Sequence, residues 1–264
     1  MNKKLQRPSN GGVYQSRLVL WVFIWAHVIG GVGTLLIKFP FSTPAARDAH
    51  IKRWSKKLLV LFGIQLQINN QSIVPDTPYL LASNHISWMD IHAINAFKPI
   101  RFVAKSEVES WPIFGWMAKQ LGTVFIQRGN SRHAIEVVSN MTKALKKESI
   151  CIFPEGTSTD GFAVRPFKAN LFESAVISHV PVYSLAIEYF DKKTELRTET
   201  TAFIGDMGLL ESMAKILKHR NIRVELTFFP PSGGSPEFSN DRKWLALHSQ
   251  EQISSYLVLN EYFL

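Results

Sequence analysis

Apolar positions along the chain change period several times, and each change marks an element. From Leu18 to Ile37 the run "LVLWVFIWAHVIGGVGTLLI" holds only His27 and Thr34 as polar residues, which predicts a helix of about 30 Å, the thickness of a bilayer's hydrocarbon core. Next, Ile51, Trp54, Leu58 and Leu61 recur at helical spacing, while Lys52, Arg53, Lys56 and Lys57 fall on the opposite face. Such a basic amphipathic helix suits either an anionic lipid surface or a protein core with a solvated side. Beyond residue 63, short apolar runs alternate with longer helical patterns. "GIQLQIN", "PYLLASN", "RFVAK", "TVFIQR" and "SICIF" read as strands, followed by "VYSLAIEYF", "TAFIG" and "IRVELTFF". Helices are predicted at "SWPIFGWMAKQLG", around Ala134 to Leu145, near 167–179, and from about Asp241 to Val258. The pattern is that of an α/β layer fold.

Charge sharpens the division. Of thirty Lys and Arg, ten lie in residues 1–57 against one acid, Asp48, and the remaining basic and acidic residues balance. The excess therefore flanks the apolar run instead of forming a basic groove, which argues against a nucleic-acid partner. Residues 1–63 are expected to be membrane-anchoring helices and 64–264 the functional domain. A cleaved signal peptide is the rival reading of the first segment, although its apolar region exceeds the usual length. Cations on both flanks lean only slightly toward a body on the cytoplasmic face. The single cysteine, Cys151, sits inside an apolar strand, so neither a disulfide framework nor a cysteine metal cluster is expected.

Two loops follow buried-looking strands with polar residues that folding alone does not require: "NHISWMD" at 84–90 and "FPEGTSTDG" at 153–161. Sites in open α/β sheets gather at strand C-terminal ends, so both loops could face one crevice. A histidine with an aspartate five positions on, His85 and Asp90, can form a base held by a carboxylate. Ser87 as a hydrolytic nucleophile lacks the Gly-x-Ser-x-Gly elbow. His85, Asp90 and His92 as metal ligands lack a supporting signature, and no metal is expected.

The pair "NHISWMD" and "FPEGTST" resembles the Asn-His-x-x-x-x-Asp and Phe-Pro-Glu-Gly-Thr blocks of the glycerolipid acyltransferases. "FVAKSEVESWPIFGWMAK", "GTVFIQR" and "VPVYSLAI" are similar to further blocks in the same order, and the resemblance spans roughly residues 60–210. It implies a mixed sheet flanked by helices and a membrane-bound O-acyltransferase of phospholipid biosynthesis that moves an acyl group from acyl-CoA or acyl carrier protein to the free hydroxyl of a lysolipid. No cofactor beyond that co-substrate is implied. His85 would be the general base and Asp90 its orienting carboxylate. Glu155, Gly156 and Thr157 would bind the acceptor, and Lys105 and Arg128 an anionic head group, with Arg165 and Lys168 able to assist. The acceptor implied is 1-acyl-sn-glycerol-3-phosphate. Ser158, however, stands where such enzymes carry arginine, and Gln127 where they often carry aspartate, which is similar instead to lyso-ornithine lipid acyltransferases. A non-catalytic membrane-associated lipid-binding protein is the remaining alternative, disfavoured because His85, Asp90 and Glu155 are all present.

Overall fold

A computed structural model describes residues 17–127, 131–233 and 241–262. Its centre is a seven-stranded sheet made of β1 (Ile64–Asn69), β2 (Leu80–Ser83), β3 (Arg101–Lys105), β4 (Val124–Ile126), β5 (Ile150–Ile152), β6 (Val182–Asp191) and β7 (Ile222–Phe228), in the order β1-β7-β6-β2-β5-β3-β4. Strands β2 to β6 run parallel, and β7 turns antiparallel against β6 and carries β1 with it. The sheet is thus mixed, as the family resemblance implies.

Helices cover both faces: α1 (Arg17–Gly33), α2 (Pro44–Leu61), α3 (Met89–Phe97), α4 (Ser106–Glu109), α5 (Phe114–Gln120), α6 (Ser131–Leu145), α7 (Glu173–Ser178), α8 (Leu209–His219) and α9 (Arg242–Tyr262). Successive strand side chains point to opposite faces. Leu81, Phe102 and Cys151 accordingly join the core beneath α1, α2 and α3, whereas Leu80, Val103, Ile150 and Ile152 join the core beneath α6, α7 and α9. Cys151 is fully buried in β5, an interior strand of the sheet, and burial pushes its thiol pKa up, helped by nearby Asp90.

One expected strand is absent. "TAFIG" forms a 3₁₀ turn at Glu199–Thr201, capped where Thr198 Oγ1 accepts from the Thr200 amide at 3.2 Å, and then runs as irregular chain. Its Phe203 amide donates to the Ile86 carbonyl at 2.9 Å. Hydrogen bonding to a loop, not to a neighbouring strand, decides its shape.

The helical run Arg17–Phe41 is long and apolar enough to cross a membrane. One stripe of it, Leu20, Ile24, Val28, Gly31 and Leu35, is buried against the body. A Cβ on Gly31 would come within 2.6 Å of Trp54 Nε1, so glycine sets how closely α1 approaches α2. The opposite stripe exposes Leu18, Val22, Phe23, Ile29, Leu36 and Ile37, the last by 69%. For α2 the apolar stripe packs inward: Leu58 and Leu59 are buried, while Arg53, Lys56 and Lys57 face solvent. The exposed apolar surface of this N-terminal region therefore lies mainly on α1.

Candidate active site

Strand β2 delivers its loop by an extra rung of pairing. Asn84 donates through Nδ2 to the Ile187 carbonyl at 3.0 Å and accepts the Ile187 amide at 2.8 Å. A side-chain amide thereby continues the β2–β6 ladder one residue beyond the strand and fixes where His85 begins.

Asp90, in the first turn of α3, is fully buried. Its Oδ2 accepts from His85 Nδ1 at 2.8 Å, from the Ile86 amide at 2.8 Å and from the Ser87 amide at 3.0 Å. Its Oδ1 accepts the Tyr189 hydroxyl at 2.8 Å. Four donors therefore hold this carboxylate in one orientation. A carboxylate only accepts, so the proton on His85 Nδ1 lies toward Asp90 and Nε2 carries the lone pair. The imidazole stacks on Phe153, ring centres 4.0 Å apart, and its side chain stays 21% exposed. That combination, an oriented ring with one open nitrogen, is what a general base requires. Tyr189 keeps its proton: burial, and then Asp90, push its phenol pKa well above the ordinary value.

The second loop meets the first at Glu155. One carboxylate oxygen accepts the His85 amide at 2.7 Å, and the other accepts the Arg165 amide at 2.9 Å. Burial raises the Glu155 pKa, and the two amide hydrogen bonds pull part of that shift back. Gly156 makes the turn with φ +70°, a conformation that glycine adopts without strain. Thr159 adds two further ties, amide and hydroxyl both donating to the His85 carbonyl at 2.8 and 3.2 Å. The two loops predicted to converge do so, through direct hydrogen bonds between them.

Glu155 thus holds the backbone of His85 and of the Arg165 stretch through both of its carboxylate oxygens. A glutamine here offers one acceptor oxygen and turns its NH₂ toward an amide donor, leaving a buried N–H unpaired at a cost of about 1–3 kcal/mol. For Glu155→Gln the expected result is a kcat about tenfold lower with an unchanged acceptor KM. Steady-state kinetics over a range of acceptor concentrations check this, since an acceptor contact would raise KM instead.

Residues 65–188 match the family model described as Acyltransferase. The 1-acyl-sn-glycerol-3-phosphate acyltransferase of Neisseria gonorrhoeae is 31% identical over 214 residues, 80% of either chain. The chain belongs to the glycerolipid acyltransferase family. The lyso-ornithine lipid O-acyltransferase of Pseudomonas aeruginosa is equally similar, 31% identical over 76% of this chain and 75% of its own. The crystal structure of the 1-acyl-sn-glycerophosphate acyltransferase of Thermotoga maritima shares the fold, with a TM-score of 0.67 over 92% of this chain and 94% of that one at 19% identity.

The other candidate residues of this acyltransferase divide by position. Lys105 ends β3, paired in register with Ile126 at the end of β4. Thr157 is half-buried in the Glu155 loop. Arg165 and Lys168 are exposed on the same stretch, and a Cβ on Gly156 would meet Lys168 Nζ at 2.7 Å, so that ammonium lies over the turn. Arg128 lies outside the described residues. Ser158 donates to the Phe203 carbonyl and is therefore directed at the polypeptide.

The remaining motif residues pack or hydrogen-bond within the protein, although His92 Nδ1 is buried without a hydrogen-bond partner among the described residues. Ser87 is buried and its hydroxyl accepts the Met89 amide at 3.2 Å, as a helix cap would. His92 lies between Trp54 and Trp88, ring centres 5.3 and 5.8 Å away, and burial lowers its pKa to about 3. Trp88 donates to Ser212 Oγ at 3.0 Å, and Trp111 packs edge-on against Phe203. Sequence reading missed Tyr189, Phe153 as the platform under His85, and Phe203 as the link between the two loops. Only Phe153 had a local signal, being the first residue of the "FPEGT" block.

Proposed function

We propose that this acyltransferase transfers an acyl group from an acyl thioester to the free hydroxyl of a lysolipid, with His85 as general base. The observation that carries the reading is the 2.8 Å contact between His85 Nδ1 and the buried Asp90, which leaves Nε2 open beside the loop of Glu155. Nε2 removes the acceptor hydroxyl proton while that oxygen attacks the thioester carbonyl. The C–S bond then breaks, the new ester C–O bond remains, and the imidazolium returns its proton to the departing thiolate. Asp90 stabilises the imidazolium formed in between. No covalent acyl-enzyme is needed: the Ser87 hydroxyl is buried and accepts the Met89 amide, and Cys151 is enclosed in the sheet.

The acceptor proposed is 1-acyl-sn-glycerol-3-phosphate, giving phosphatidic acid. Lys105 and Arg128 would bind its phosphate, and Gly156 and Thr157 its glycerol. The ammonium of Lys168 above Gly156 supplies charge where Ser158 does not. A second reading, lyso-ornithine lipid as acceptor, is favoured by Ser158 itself, whose hydroxyl is engaged by Phe203. The exposed apolar stripe of α1 fits burial in a lipid surface, which would bring the crevice to its acceptor, with the catalytic domain on the cytoplasmic side where acyl thioesters are made.

The test is transfer of labelled acyl chains to both lysolipids presented in vesicles. Product from lysophosphatidate at the higher kcat/KM supports the first reading, and product from lyso-ornithine lipid alone supports the second. Product from neither would overturn lysolipid acylation.

A further inference from the structure

We propose that Tyr189 is a positioning residue of this acyltransferase: its hydroxyl, donated to Asp90, favours the unprotonated form of the His85–Asp90 pair and so sets how far into acid the base remains available. The inference rests on His85 acting as the base in the transfer described above. Strand β6 outruns its neighbour β2. The last pair between them is Ser83 with Leu185, and the Asn84 side chain adds a rung at Ile187. Successive residues of a strand alternate between faces, so Leu185, Ile187 and Tyr189 all enter the core beneath α1, α2 and α3. Tyr189 is therefore the next inward side chain past the end of β2, and its hydroxyl reaches the first turn of α3, 2.8 Å from Asp90 Oδ1.

The backbone of Tyr189 is held on both sides: it lies in register with Val224 of β7, and its carbonyl accepts the Thr198 amide at 2.9 Å. The side chain is buried. A phenylalanine would fill the same apolar slot without taking a hydroxyl out of water, so the phenol oxygen is accounted for by its partner. That partner is Asp90, whose other oxygen already receives His85 Nδ1 and the Ile86 and Ser87 amides. Among the described residues, Tyr189 is the one donor to Oδ1.

A donor stabilises an acceptor more when that acceptor is charged. With His85 unprotonated the pair carries one negative charge, and a proton taken up by either partner cancels it. The Tyr189 hydrogen bond is therefore strongest before the proton arrives, and it resists loss of the base to solvent protons. The reciprocal effect falls on the phenol: burial, the Asp90 charge and this same hydrogen bond push its pKa well above the ordinary value, so it donates as a neutral group. The other titratable groups facing the pair are Glu155, on the His85 amide, and the Cys151 thiol, near Asp90; burial pushes the pKa of each upward. Neither has a hydrogen bond to Asp90 among the described residues, so neither does what the phenol does.

The experiment reads the ring and the rate separately on the full chain. Histidine labelled with ¹³C at Cε1 is introduced into the native protein and into Tyr189→Phe, and the His85 signal is assigned by its absence from His85→Ala. In Tyr189→Phe the ring titration should move to higher pH. On the acidic limb its kcat/KM should fall about threefold to tenfold relative to its own value at about pH 8, the loss expected for one hydrogen bond to a charged group. Tyr183→Phe, which removes a buried phenol from the same strand and face, is the control and should leave titration and limb in place. Replacing tyrosine by 3-fluorotyrosine, a more acidic donor that differs by one fluorine, should move the titration to lower pH, which tests the sign without relying on the folding of the Phe variant. A ring titration that coincides in the native protein and a folded Tyr189→Phe, or that Tyr183→Phe moves equally, would overturn the proposal and leave Tyr189 a purely structural residue. If the titration moves as expected while the native protein acylates no lysolipid, the link from Tyr189 to His85 stands and the lysolipid reading falls.

Discussion

His85→Ala should lower kcat by about 10²- to 10⁴-fold, the contribution of a positioned general base, with little change in acceptor KM. The side chain is 21% exposed and stacks on Phe153. Alanine therefore removes the base without opening a large internal cavity. Its removal also leaves Asp90 with three of its four donors, the Ile86 and Ser87 amides and the Tyr189 hydroxyl. Thermal unfolding should consequently remain close to that of the native protein while transfer collapses. Transfer that persists in a well-folded His85→Ala protein would mean that another group removes the proton.

Asp90→Asn should cost more in structure and at least as much in rate. Asparagine retains a single oxygen, and its NH₂ must replace either Oδ2, facing His85 Nδ1 and two backbone amides, or Oδ1, facing the Tyr189 hydroxyl. With the NH₂ toward His85, the imidazole changes tautomer and its lone pair is withdrawn from the substrate. With it toward Tyr189, the remaining oxygen is neutral and no longer stabilises an imidazolium. Either way the rate is expected to fall by about 10³- to 10⁴-fold, as when an amide replaces the orienting carboxylate of a triad. Stability should drop by about 1–3 kcal/mol for the broken buried hydrogen bonds. Rate measurement and urea unfolding on one preparation separate the two effects. A rate within tenfold of native would show that Asp90 serves the fold alone.

Both motif loops were legible in the sequence because each polar cluster interrupts an apolar strand with residues that a core does not need. The strands themselves were legible where Val, Ile and Leu concentrate, as in β5 and β7. Their order was not, since the antiparallel turn of β7 against β6 depends on long-range pairing such as Leu185 with Phe228. Tyr189 stayed hidden for a related reason. Nine of the ten residues of β6 are buried, on both faces of the sheet, so no alternation separates a core tyrosine from one that serves the site. "TAFIG" misled because five apolar-leaning residues carry little information about their partners, and here those partners are the Ile86 carbonyl and the Ser158 hydroxyl. The helix α8, with Met213, Ile216 and Leu217 buried on one side, had a readable period that the strand pattern around it obscured.

The hydrogen bonds that shape this site join residues far apart in the chain: His85 to Glu155, Asp90 to Tyr189, Ile86 to Phe203. A nascent polypeptide emerging from the ribosome therefore exposes its histidine long before it owns a reactive centre. Until Tyr189 and Phe203 have been synthesised and docked, Asp90 and the Ile86 carbonyl lack these distant donors. Catalytic competence arrives late in synthesis, together with closure of the sheet.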